Sequence, residues 1–342
     1  MGRSYWCTVT VICFLVLLLG GIVAHVRLWR APTRGEDVYY GWVEGQRLQK
    51  GENPYARVLT GNLRDNDKYA TYFPVFYYGA YLTIVAGLDN YEDWIAFWRV
   101  IFLLTNLGIA GVLCYLPFRR KIWPLALFGP AFWLFNRWTL HVTRIAQIDF
   151  LAILPLIISV ALFSRRRYLS LLLLSLSIGV KQIALFLIPL YLIWIWRETG
   201  QNKLKHTLIA SALIASIPVL TSLPFLMWNP EALVISVIFD ALRNPADHFD
   251  VASFDATIGW IGLLAKAPMI ALMLLVFALT WQRRIGQWLA SLLVMAVFVD
   301  FSSVLFRQYF VWEAPFIPLV ALDILSGDVF RTWSMPPKND HT

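Results

Sequence analysis

Residues 5–26 read YWCTVTVICFLVLLLGGIVAHV, a run without a single Asp, Glu, Lys or Arg. A run of that length crosses a hydrocarbon layer of about 30 Å, whereas a signal-peptide core holds about 7–15 residues. No cleavage-site pattern follows it, so it reads as an uncleaved span with its N-terminus inside. The rest of the chain repeats the signal. Apolar runs long enough to cross occupy 94–116, 122–136, 148–164, 207–227, 257–280, 285–305 and 309–325. The stretch 169–196 is interrupted at Gly179-Val180-Lys181-Gln182 and reads as two short helices meeting near the outer side.

Composition excludes the alternatives. Of 342 residues, 59% are apolar and only 15% charged, too little polar surface to cover a soluble globule. The 16 Trp, 14 Tyr and 23 Phe suit a membrane–water boundary, where an apolar ring body and a polar edge are both satisfied. The excess of 29 basic over 21 acidic residues, a net +8, does not form a nucleic-acid face. It gathers in short turns: Arg119-Arg120-Lys121, Arg165-Arg166-Arg167, Arg197 with Lys203 and Lys205, and Arg283-Arg284. Those are the marks of cytoplasmic loops. Cys7, Cys13 and Cys114 lie within apolar runs, which argues against a disulfide framework or a thiolate metal site.

With the basic turns inside, the polar segments 30–93, 137–147, 228–256 and the turn at Arg307-Gln308 fall outside. The apolar segment 72–88 then cannot cross without placing Arg119-Arg120-Lys121 outside, so it reads as a re-entrant or interface-lying helix. The expectation is a single all-α, polytopic transmembrane bundle over 1–342, with about 10 spans and both termini inside. Its outer loops are 30–93, the catalytic candidate, and 228–256.

Loop 30–93 carries the most information. A helical pattern begins at Glu36-Asp37 and stops at Lys50-Gly51-Glu52-Asn53-Pro54, a glycine cap followed by a proline that cannot continue the helix. Val38, Trp42, Val43 and Leu48 suit a helix lying on the bilayer surface. Asp37, Tyr40, Gly41 and Glu44 share one face at i, i+3, i+4, i+7. Asp37 by itself is also the acid that a helix N-terminus favours through its dipole. The stretch Tyr69–Tyr81 adds seven aromatic residues in thirteen, with Pro74 where a helix begins.

These features, in this order, resemble the GT-C superfamily of membrane glycosyltransferases. They are a first span, Asp37-x-x-Tyr40, Gly51-x-Asn53-Pro54-Tyr55, and Tyr72-Phe73-Pro74 entering an apolar segment. The nearest resemblance is to the branch using polyprenyl-phosphate-mannose. Arg144-x-x-Gln147-x-Asp149 before a span, Lys181-Gln182 in a helix break, and Arg307-Gln308-Tyr309-x-x-Trp312 at the last span agree with it.

The resemblance implies transfer of a hexose, mannose first, from a polyprenyl-phosphate-sugar donor to a glycolipid or glycan acceptor on the outer face, with inversion. Asp37 matches the family's catalytic acid and would take the acceptor's proton. Tyr40, Glu44, Tyr72 and Gln147 are the further substrate-binding candidates. Arg144, Lys181 and Arg307 would stabilise charge on the leaving phosphate, although each also suits an interfacial cation whose stem lies in lipid. No cofactor and no metal is expected. Asp65-Asn66-Asp67 reads as a solvated turn, and Asp247-His248-x-Asp250 as an acidic loop needing no ligand. The competing reading is a transporter or lipid flippase, because broken helices also mark transport sites.

Overall fold

The computed structural model describes residues 3–61, 69–238, 254–259, 263–302 and 305–327. The two acidic motifs at 65–67 and 247–250, and most of the outer loop 228–256, lie outside the described residues. The architecture is all-helical. Helix α1 is Arg3–Arg27, α2 Asp37–Gln49, α3 Val75–Val85, α4 Tyr91–Arg119, α5 Trp123–Phe135 and α6 Arg137–Arg144. Then come α7 Asp149–Leu162, α8 Arg167–Val180, α9 Ile188–Glu198, α10 Lys203–Trp228 and α11 Pro230–Val237. The last three are α12 Ala267–Trp281, α13 Gln287–Asp300 and α14 Phe316–Leu325.

Among the described residues, five segments are long and apolar enough to cross a membrane: Tyr5–Arg30, Tyr91–Arg119, Lys203–Trp228, Leu264–Trp281 and Arg307–Leu325. Helices α3, α5, α7, α8 and α13 are apolar but shorter. At 14 residues, α7, α8 and α13 each cover roughly 21 Å, less than a hydrocarbon layer of about 30 Å. Prolines sit inside α4, α5, α7 and α10. Such helices are tolerated where neighbouring helices satisfy the freed carbonyls.

Hydrogen bonds between turns define the two ends of the bundle. At one end Arg167 bonds Glu198 at 2.7 Å, Arg283 donates to the Arg197 carbonyl at 3.2 Å, and Arg120 meets Asp323 at 3.4 Å. All four basic turns therefore share this end. At the other, the hydroxyls of Thr33 and Tyr91 lie 2.6 Å apart, and Arg34 pairs with Glu92 at 3.1 Å. Arg99 donates to the carbonyls of Trp29 and Ala31. Helix α4 thus starts where α1 finishes. The segment between them, α3 included, leaves and returns to the same end.

Helix α2 begins and stops where its caps place it. Glu36 is extended (ψ 165°) before Asp37, and Gly51 takes φ +73° while Glu52 N–H donates to the Arg47 carbonyl at 2.8 Å. Its position differs from the surface helix expected from Val38, Trp42 and Val43. Val38, Gly41, Glu44 and Gly45 are buried, and α2 packs closely on α3. In the aromatic stretch, Phe76, Tyr77 and Ala80 are core residues, whereas Tyr72, Phe73, Tyr78 and Tyr81 are half-buried. Small residues permit the approach. A Cβ at Gly41 would stand 2.5 Å from the Phe76 ring, and one at Gly45 would stand 2.9 Å from Ala80 Cβ and 3.1 Å from its backbone carbon.

Several buried polar groups within the bundle pair across helices. His25 bonds Thr143 at 2.7 Å and the Leu134 carbonyl at 3.0 Å, and Trp133 donates to Asn106 at 2.6 Å. These bonds tie α1, α4, α5 and α6 together.

The ring at Phe76 can rotate away from a new methyl, whereas the backbone at Ala80 cannot. Gly45→Val is therefore expected to destabilise by about 1–3 kcal/mol, the usual cost of overpacking. Thermal unfolding of the purified protein in detergent measures it, and a melting temperature equal to wild type would refute the close α2–α3 contact.

Candidate functional site

The end of the bundle away from the basic turns holds a cavity lined by Asp37, Tyr40 and Glu44 of α2, by Tyr72 and Tyr77, and by Phe306, Gln308 and Tyr309. Its volume is about 40 Å³. That accommodates about one water, whose share of liquid volume is ≈ 30 Å³.

Local structure explains how each side chain arrives there. Asp37 opens α2, and Tyr72 Oη donates to its Oδ2 at 3.2 Å. Tyr72 is positioned from two sides. Tyr55 Oη donates to the Tyr72 carbonyl at 2.8 Å, while Tyr72 N–H donates to Tyr77 Oη at 3.4 Å. Asn53 Oδ1 accepts from Tyr55 N–H at 3.0 Å, so the Asn53-Pro54-Tyr55 motif serves to place Tyr72. Glu44, two turns along α2, is 1% exposed, with Arg57 3.4 Å and Arg47 3.5 Å from its carboxylate. Burial outweighs both arginines and pushes its carboxyl up to about 7.

Behind Tyr72 lies a charged group that the sequence reading had placed differently. Lys181 occupies the break after α8, in extended backbone, and its Gln182 side chain neighbour donates to the Thr71 carbonyl at 2.6 Å. The Lys181 ammonium is 3% exposed and donates to Asp149 Oδ1 at 2.8 Å. It sits over the rings of Tyr72 at 5.2 Å and Trp312 at 5.4 Å. Trp312 Nε1 donates to the same carboxylate oxygen, and Trp312 stacks on Tyr309 at 4.1 Å. Asp149 Oδ2 is buried without a hydrogen bond among the described residues. The Lys181 ammonium, expected from sequence near a leaving phosphate, is thus paired with Asp149 and lies behind Tyr72.

Three further expected residues stand apart from Asp37. Gln147 is buried beside Arg99, Thr143 and Trp29. Arg144 and Arg307 are exposed and line a different cavity, of about 330 Å³, together with Arg137 and His141. Of the eight residues expected from sequence, then, Asp37, Tyr40, Glu44 and Tyr72 line one cavity, Lys181 backs it, and Gln147, Arg144 and Arg307 do not reach it. Gln308, Tyr309, Asp149 and Trp312 were within the motifs but were not assigned roles. Their neighbours Arg307 and Gln147 drew attention by residue type, and only helix phase shows which of adjacent residues faces inward. Among the described residues no group of three His, Cys, Asp or Glu could hold a metal ion.

Compared with protein-family models, curated proteins and solved structures, the chain matches none. The site is therefore argued from its own geometry.

Two outcomes follow. Between pH 4.5 and about 7 the folded chain holds a proton on Glu44 that the unfolded chain has released, so stability falls as pH rises through this window. The loss amounts to roughly 3 kcal/mol, and Glu44→Gln is expected to flatten it in unfolding curves taken across that range. Removing Lys181 alone leaves Asp149 charged and buried, so Lys181→Met is expected to cost about 3–5 kcal/mol, with the double variant Lys181→Met/Asp149→Leu recovering most of it. Equal loss in both variants would show that the pair's charge is not what matters.

Proposed function

We propose that the chain is a membrane glycosyltransferase that moves a hexose, mannose first, from a polyprenyl-phosphate carrier to a glycolipid or glycan acceptor. The observation that supports this reading is the meeting of Asp37 with Tyr40, Tyr72, Tyr77 and Gln308 in one cavity. Phenol and amide groups suit sugar hydroxyls, aromatic faces suit sugar rings, and a carboxylate among them suits proton removal. The reading includes about 10 spans, counting the short helices, and a site on the outer face.

The chemistry is a single displacement. The acceptor hydroxyl gives its proton to the Asp37 carboxylate as its oxygen forms a bond to the anomeric carbon. The bond from that carbon to the phosphate oxygen breaks on the opposite face, and lipid phosphate leaves with the electron pair. Tyr72, hydrogen-bonded to Asp37, orients the base.

A transporter or lipid flippase is the second reading. The half-helices α8 and α9, meeting at a buried Lys181–Asp149 pair, are the feature that favours it.

Membranes carrying wild type or Asp37→Asn, supplied with radiolabelled polyprenyl-phosphate-mannose and native lipid extract, separate the readings. Wild type is expected to label a new glycolipid and Asp37→Asn to lose about 10²–10⁴-fold in rate. Equal labelling would remove Asp37 as the base. Flux across proteoliposomes without transfer would establish the second reading.

A further inference from the structure

The turns that join α7 to α8, α9 to α10 and α12 to α13 meet in one patch. Arg167 donates to Glu198 Oε2 at 2.7 Å and to Thr199 Oγ1 at 3.4 Å, which ties the first turn to the second. Arg283 donates to the Arg197 carbonyl at 3.2 Å, and the Arg197 guanidinium lies 5.5 Å from the Trp281 ring centre. Those contacts tie the second turn to the third. The fourth basic turn is tied instead to α14, through Arg120 on Asp323 and Ser326.

The patch carries nearly all of the chain's net charge. Its first turn supplies Arg165, Arg166 and Arg167, its second Arg197, Lys203 and Lys205, and its third Arg283 and Arg284. Glu198 is the one acid in these three turns. Together they hold eight of the 29 basic residues and one of the 21 acidic ones, so the rest of the chain, with 21 and 20, is close to neutral. Arg165, Arg166, Lys203, Lys205 and Arg284 are exposed, and none has a carboxylate within ion-pair distance among the described residues. Helix dipoles do not offset this charge. Helices α7, α9 and α12 end at the patch while α8, α10 and α13 begin there, so negative and positive ends cancel. Like charges gathered in this way repel one another and attract anions.

The surroundings select the kind of anion. Exposed apolar side chains start directly beside the cations: Tyr168 and Leu169 follow Arg167, Trp281 precedes Arg283, and Leu204 and Leu208 share the start of α10 with Lys203 and Lys205. In a bilayer such side chains meet lipid tails and interface, which puts the cations at headgroup level. A soluble acidic partner engages the cations alone, whereas a lipid engages both.

We propose that this patch binds the anionic headgroups of membrane lipids through Arg165, Arg166, Lys203, Lys205 and Arg284, with lipid chains against Leu204 and Leu208. Basic segments beside spanning helices attract anionic lipids charge by charge. The patch lies at the bundle end opposite the Asp37 cavity, and nothing in the proposal depends on sugar transfer.

Native mass spectrometry of the full chain in detergent tests it, with phosphatidylglycerol, phosphatidylcholine, glycerol phosphate or polyglutamate added in turn. Wild type is expected to retain phosphatidylglycerol over phosphatidylcholine, a comparison that needs no variant. Arg165→Gln/Arg166→Gln/Lys203→Gln/Lys205→Gln is expected to weaken phosphatidylglycerol retention by about tenfold or more. The charge-matched Arg27→Gln/Arg30→Gln/Lys50→Gln/Arg137→Gln, at the opposite end, is expected to leave it within about twofold of wild type, as the nearest headgroup is then untouched. Equal retention of the two lipids by wild type would overturn the proposal, as would equal loss in the two variants. Retention of glycerol phosphate without lipid would reduce the patch to a phosphate site. Preference for polyglutamate over phosphatidylglycerol would assign it to an acidic protein, and either result would also refute the proposal.

Discussion

The Lys181 ammonium holds together segments that nothing in the chain's local order would join. Its partner Asp149 starts α7, the rings on either side of it come from the segment before α3 and from the turn before α14, and Lys181 itself ends α8. Two opposite charges placed this deep are each stabilised by the other, and removing one leaves its partner buried and unpaired. Each group therefore requires the others in position. The Asp37 cavity inherits that requirement, because Tyr72 is one of the rings held over Lys181 and Tyr309 is stacked on the other.

A second constraint acts from the front of the cavity. Gly41 and Gly45 let α2 lie against Phe76 and Ala80, which brings Asp37 and Glu44 inward while their helix remains at the bundle end. The carboxylates then occupy unlike surroundings. Asp37 is half-buried and bonded to Tyr72, whereas Glu44 is enclosed with two arginines and still holds its proton up to about pH 7. Depth, acting against the pull of two arginines, is what raises the Glu44 carboxyl. A protonated carboxyl donates a hydrogen bond where an ionised one only accepts.

The wall between the two cavities shows how little chain is needed to separate two kinds of chemistry. Over four residues, Phe306, Gln308 and Tyr309 turn to one side and Arg307 to the other. On one side are two carboxylates and phenols; on the other are Arg137, Arg144 and Arg307.

Much of this was legible in the residues. The apolar runs, the basic turns and the bounds of α2 depend on hydropathy, charge and capping, which act over a few neighbouring positions. Asp37, Tyr40, Glu44 and Tyr72 could be grouped because three of them share a helix face and the fourth follows in an aromatic stretch. The pairing of Lys181 with Asp149, 32 residues away, and of Asp149 with Trp312, 163 away, could not. Nor could the separation of Arg144 and Arg307 from Asp37, or the inward turn of Gln308. The sequence by itself determined that the chain is helical and apolar, and where one acidic helix begins and ends. The tertiary structure alone decided which polar side chains meet, because that depends on the phase and depth of helices brought together from distant parts of the chain.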